Sequence, residues 1–220
     1  LEESWDEVLG GSDGKGVSVK FSYPKSWKFE RKDGTLLVNE EAAKACDADP
    51  DKCLLGEVFS RSPGGDSAFL NVGTSGETDV SKIPFSFFKK QIFNRAGKFG
   101  AYGAPEDVKS LSDKTSNGLR LIDVKFTAFS PGGASIGRRG IIAVQQAGPE
   151  AYMLVCTTSS TRWKGGEALL RDIASSFAAT STGQAAPPQK KFEGVKKSMF
   201  AAQNQERERL EKEREAEGIQ

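Results

Sequence analysis

The sequence predicts an α+β domain built on a largely antiparallel sheet, with helices covering its faces. Three observations carry that prediction. Strand-length segments, alternating or continuously apolar, recur along most of the chain. Neighbouring strand segments meet at tight-turn signals, of which Asn117-Gly118 is the clearest. Helical periodicity before residue 180 is confined to 83–97 and 162–177.

Residues 1–16 are polar and end in Gly-Gly-Ser-Asp-Gly-Lys-Gly, so they read as a free N-terminal arm, with a short helix over 1–9 as the alternative. Val17, Val19 and Phe21 then alternate with Ser18, Lys20 and Ser22, which predicts the first strand. A turn follows from Tyr23-Pro24 to Trp27, and 29–38 reads as a hairpin pivoting on Asp33-Gly34. Strand patterns recur at 55–60 and 68–72, joined by the Ser-Pro-Gly-Gly-Asp turn at 62–66. From Ile83 the period changes: Phe85, Phe88, Ile92 and Phe93 line one face, Lys89, Lys90 and Arg95 the other. That is an amphipathic helix with Pro84 in its first turn and Gly97 as its stop.

Two hairpins come next. Segments 110–116 and 119–129 meet at Asn117-Gly118, and 137–146 and 150–158 meet at Ala147-Gly148-Pro149. The last helix of the domain, 162–177, places Leu169, Leu170, Ile173 and Phe177 on one face. Residues 180–191 read as a linker, rich in Thr, Gly, Ala and Pro. Beyond it, 192–220 carries Ala, Glu, Gln, Lys and Arg with little Gly and no Pro, the composition of a charged helix roughly 35 Å long. The expected organisation is therefore an arm (1–16), a domain (17–179), a linker (180–191) and a tail helix (192–220).

Composition narrows the function. A hydrophobic fraction of 37% with 9% aromatics supports one ordinary core. The net charge of +1 provides no global field for nucleic acid. No apolar run approaches the ~20 residues that span a bilayer, so the chain is expected to be soluble, or at most peripheral to a membrane. A chain opening on Leu1 is expected to be processed or a fragment.

The sequence contains no histidine, which weighs against most acid–base and zinc chemistry. Gly133-Ala134-Ser135-Ile136-Gly137 matches the G-x-S-x-G nucleophile elbow, but a strand pattern follows where a helix is required, and the histidine base is missing. The segment reads as a glycine-rich hairpin loop. Asp47, Asp49 and Asp51 mimic the first ligands of an EF-hand loop, yet Lys52 occupies the glycine position and Val58 the bidentate glutamate position. A solvated acidic turn is the better reading, with incidental calcium binding the alternative. The spacing of Cys46 and Cys53 permits a disulfide that geometry must decide, and Cys156, inside an apolar strand, reads as a buried thiol. No acid, base or nucleophile stands out, and neither a catalytic residue nor a cofactor is expected.

Two segments suit partner binding. Arg162-Trp163-Lys164 opens the last helix, where Trp163 packs on the core edge and Arg162 and Lys164 either stay solvated or meet a partner. In the tail, Phe192, Val195, Met199 and Phe200 recur at helical spacing, a short apolar stripe suited to docking in a groove.

Several segments together resemble the PsbP family of extrinsic photosystem proteins. Phe21-Ser-Tyr-Pro-Lys-Ser-Trp-Lys28 resembles the family's aromatic-Pro-x-x-Trp entry strand. The segment 73–84 occupies the family's place before its first long helix, and Tyr102-Gly-Ala-Pro-Glu-Asp-Val108 is similar to a further family element. The strongest likeness is 151–177, a strand, a turn, an Arg-Trp start and a helix ending in Ser-Phe. The resemblance covers roughly 17–179 and rests on order and spacing.

It implies an α/β/α sandwich on a central antiparallel sheet, a thylakoid-lumen location peripheral to the membrane, and non-catalytic stabilisation of a photosystem. The implied partners are the photosystem core and neighbouring lumenal or antenna subunits, with no nucleic acid. Calcium binding is implied for the family, though histidine-dependent contacts cannot carry over to this chain. A transient assembly or repair factor is the alternative on the same fold. A Ran-binding transport cofactor is a third reading, because those factors share the sandwich.

Overall fold

The computed structural model describes residues 1–31, 54–59, 65–95 and 97–186. Strand β9 (Glu150–Ser159) explains the architecture. Its run Ala-Tyr-Met-Leu-Val-Cys is apolar at every position because both of its faces are covered. Tyr152, Leu154 and Cys156 point to one core, and Ala151, Met153 and Val155 to another.

Around β9 lies a seven-stranded antiparallel sheet in the order β3-β4-β5-β9-β8-β7-β6. Its other strands are β3 (Lys28–Arg31), β4 (Leu54–Phe59), β5 (Ser67–Thr74), β6 (Glu106–Ser116), β7 (Leu119–Phe129) and β8 (Ser135–Ala147). Strand β6 forms one edge; it is mostly exposed, and its pairing with β7 is broken by register shifts between Glu106 and Lys109 and between Ser110 and Ser112.

The first face is covered by a three-stranded sheet, β1 (Glu3–Gly10), β2 (Lys15–Tyr23) and β10 (Ala178–Ala185), with β2 in the middle, and by helix α2 (Trp163–Ser175). Val17, Val19 and Phe21 of β2 and Leu170 and Ile173 of α2 close this core over Leu70, Ile141 and Leu154. The second face is covered by α1 (Phe85–Ile92) and the segment after it. There the rings of Phe93 and Phe99 lie 4.7 and 4.8 Å from that of Phe126. Among the described residues, no helix is long and apolar enough to cross a membrane.

The fold class is α+β, as predicted, and both hairpins form. Asn117 and Gly118 adopt φ values of 51° and 76°, the left-handed pair that a tight primed turn requires. Four expectations need correction. Residues 3–10 are a strand rather than an arm or helix: Trp5 and Leu9 alternate inward, and the Gly-Ser run after them is the β1–β2 turn. Residues 178–185 are a strand rather than the start of a linker. They pair with β2 through backbone hydrogen bonds and bury little beyond Ala179, so composition did not reveal them. Helix α1 ends at Ile92, short of Gly97, and Pro84 is its N-cap rather than part of its first turn. One face of the central sheet is covered by a second sheet together with a helix, not by helices alone.

The Asp33-Gly34 hairpin, the acidic loop with Asp47, Asp49 and Asp51, Cys46 and Cys53, and the tail with Phe192, Val195, Met199 and Phe200 lie outside the described residues. Cys156 is a buried free thiol, as expected.

Arg120, on β7 and 6% exposed, fastens the α1 layer to the sheet. Its Nε and Nη2 donate to the two carboxylate oxygens of Asp113 at 2.8 and 2.6 Å, and Nη1 donates to the carbonyls of Val80 and Ile83 at 2.8 and 2.6 Å. The guanidinium also lies 5.3 Å from the Phe88 ring centre. Asp113 is exposed enough to be hydrated once Arg120 is gone, but the buried Val80 and Ile83 carbonyls lose their donor, so Arg120→Ala should destabilise the domain by about 1–3 kcal/mol. Arg120→Lys should recover only part of that loss, because an ammonium cannot reproduce the fork. Urea unfolding followed by circular dichroism checks both, and wild-type stability in Arg120→Ala would refute the assignment.

Candidate docking surface

The surface forms where β9 ends and α2 begins. After Ser159 the chain turns through Ser160 and Thr161, both exposed, and Arg162 N-caps α2. Trp163, 5% exposed, is driven into the first core beside Leu170 and Ile173, which fixes the direction in which its neighbours point. Arg162 turns back, and its Nη2 lies 2.8 Å from Asp66 Oδ2. The second oxygen of Asp66 accepts the Thr158 hydroxyl at 2.5 Å. Lys164 stays exposed on the first helical turn, which carries no acidic residue.

Arg139 adds what the sequence reading missed. Its guanidinium lies 4.3 Å from the Trp163 ring centre, and its Nε is buried with no hydrogen-bond partner. The planar group is thus held on an aromatic ring rather than by a carboxylate. Strand register places Arg139 opposite Lys125 of β7 on one side and Thr158 of β9 on the other. Lys125 is exposed. Like charges directly opposite each other in a sheet repel, so this pair opposes stability.

The nearest carboxylates on the same face are already engaged. Arg171 Nη2 lies 2.6 Å from Asp123 Oδ2 and 2.7 Å from Glu167 Oε1, and these partners hold its guanidinium pKa above the usual arginine range. Lys125, Arg139, Arg162 and Lys164 therefore share Asp66 as their one engaged carboxylate among the described residues. Arg138, the next residue on β8, points to the opposite face and lies 5.3 Å from the Phe99 ring centre.

Of the residues singled out in the sequence, the structure brings Arg162 and Lys164 to this surface, with Arg162 in an ion pair and Lys164 exposed. The signal for the other two lay in strand periodicity, which turns Lys125 and Arg139 outward. Their juxtaposition, however, depends on register between β7 and β8. Gly133 to Gly137 form the β7–β8 loop and the start of β8, with Gly133 at φ 76°, as the hairpin reading expected. The arrangement suits recognition of carboxylates, with one guanidinium preorganised on an aromatic ring, the exposed Lys125 opposite it in the sheet and the exposed Lys164 on the adjoining helical turn.

Comparison with solved structures identifies the fold. The solution structure of cyanobacterial PsbP (CyanoP) from Synechocystis sp. PCC 6803 is 14% identical, with a TM-score of 0.50; the match covers 81% of this chain and 93% of that one. The crystal structure of LpqN, involved in cell envelope biogenesis of Mycobacterium tuberculosis, is 11% identical with a TM-score of 0.43, over 81% of this chain and 92% of that one. No family model matches the sequence, and no curated protein matches it. The domain has a PsbP-like fold.

Replacing Lys125 with Glu separates the two roles of this surface. It removes a like-charge pair and should leave the domain more stable by about 0.2–1 kcal/mol. Denaturant midpoints measure this, and a clear loss of stability would show that Lys125 is a structural residue.

Proposed function

We propose that this domain is a non-catalytic extrinsic protein that binds a photosystem on the lumenal side of the thylakoid membrane and stabilises it through protein contacts. The observation that carries this reading is the CyanoP-like fold, which extends over most of both chains. The resemblance of segments 21–28 and 151–177 to the PsbP family supports it from a second side. These segments form the end of β2 with the turn to Trp27, and β9 with α2, so the second one builds the cationic surface.

On this reading, Arg139, Lys164 and Lys125 meet carboxylates of the partner, while Arg162 holds the turn in place. Such contacts steer association and weaken as salt rises. The same surface accounts for a peripheral attachment that needs no membrane-spanning element in the domain.

Washing photosynthetic membranes with high salt should release the full-length protein, and a mild-detergent purification through a tag should retain photosystem subunits. Lys125→Glu and Lys164→Glu together should lower that retention several-fold while leaving the fold intact. Recovery of the protein away from thylakoids, or without photosystem subunits, would overturn the proposal. Recovery only with immature complexes would move it to an assembly role.

A further inference from the structure

At the other end of β9, Glu150 is 0% exposed and has no ion-pair partner among the described residues. Its Oε1 accepts the Ser12 backbone N–H at 2.9 Å and also the Ser12 hydroxyl, both from the β1–β2 turn. Its Oε2 is buried with no hydrogen-bond partner. Tyr152, two residues along on the same face, buries its hydroxyl with no partner either. A buried ionised carboxylate in this condition is expensive, whereas a neutral carboxylic acid fits it far better.

The surrounding charges point the same way. Asp13, on the β1–β2 turn, faces Glu150 across Gly11: a methyl group on Gly11 would lie 3.0 Å from Asp13 Oδ1 and 3.3 Å from Glu150 Oε2. Lys15 Nζ, on an amino acid whose side chain is 58% exposed, lies 3.8 Å from Asp13 Oδ2 and so answers Asp13 rather than Glu150. The β8 side contributes Ala147 and the neutral Gln145, the β5 side the neutral Thr74, and β10 the neutral Thr182.

The turn held by Glu150 in turn holds the end of the domain. Gly14 accepts the backbone N–H of Ala186 at 2.8 Å, and Thr182 donates its hydroxyl to the Gly16 carbonyl at 3.0 Å. Residues 187–220 follow directly in the chain.

We propose that Glu150 is a protonation latch: neutral, it clamps the β1–β2 turn and through it the end of β10, and on losing its proton it lets both go. Burial pushes its pKa up, the Ser12 hydrogen bonds offset part of that, and the Asp13 charge adds a smaller upward push, so that the net shift is upward. The folded domain therefore binds this proton more tightly than the unfolded chain does. The stabilisation is complete below the ordinary carboxylate range and is lost as pH rises through the raised pKa. The latch is independent of what the cationic surface binds.

Amide hydrogen exchange on the full chain, corrected for intrinsic rates, tests it at pH 5 and pH 8. Protection at Ser12, Gly14 and Ala186 should fall several-fold at the higher pH, while the amides of β9 stay protected. Glu150→Gln, which mimics the neutral acid, should protect these amides equally at both values. Equal wild-type protection at both pH values, or a pH response surviving in Glu150→Gln, would overturn the latch. Carbon-13 titration of the wild-type Glu150 carboxyl reads the same property without a variant. A midpoint above the ordinary carboxylate range supports the latch, and one within it refutes it.

Discussion

The architecture depends on one constraint: a strand covered on both faces leaves no solvent route for a polar side chain. β9 lives under that constraint over nearly its whole length. Its two faces dictate that something apolar be laid on each, and the chain meets this with unlike elements. A small sheet and α2 cover one face; α1 and a phenylalanine cluster cover the other. The polar exceptions sit where the strand meets its turns. Glu150 at the start has its own hydrogen-bonding cradle, and Thr157 and Thr158 at the end reach Arg138 and Asp66. Hydrogen bonding at such places decides more than packing does, because the surrounding medium strengthens each electrostatic term.

The two ends of β9 consequently differ in character. One end gathers cations around a tryptophan, and two of them, Lys125 and Arg139, face each other with no carboxylate bonded to either among the described residues. A local arrangement that opposes stability is where a binding surface is expected, since the repulsion is relieved when anionic groups arrive. The other end gathers carboxyl groups beneath a turn. Arg120 shows the contrasting, fully satisfied solution: every strand or helix it touches receives a hydrogen bond or an aromatic contact, and nothing remains for a ligand.

Much of this fold was legible in the sequence wherever the determinant was local. The three- and four-residue spacing of Phe85, Phe88 and Ile92 specified α1, and Asn117-Gly118 specified a turn whose backbone only such residues adopt readily. The apolar run 151–156 was legible as a strand; that both of its faces are covered is what the structure adds. What stayed hidden was non-local. β1 and β10 have little apolar content, and their existence rests on backbone pairing with β2, which no window of sequence contains. The candidate docking surface was half visible for the same reason: Arg162 and Lys164 are neighbours in the chain, whereas Lys125 and Arg139 become neighbours through register alone. Glu150 reads in the sequence only as the first residue of a strand, because nothing nearby reveals that Ser12 covers it.

The placement of β10 against β2 carries a consequence for how the domain is made. Thr182 meets Gly16 across 166 positions of chain, so the sheet begun by β1 and β2 is completed by β10. Until that strand emerges, β2 has an open edge and the core beneath it lacks Ala179. Closing so long a loop is slow, because the entropy of the whole intervening chain is lost before the contacts are gained. A nascent chain therefore cannot complete this domain before residues 178–185 have emerged. Until then the β1–β2 hairpin waits with one strand edge available to other chains.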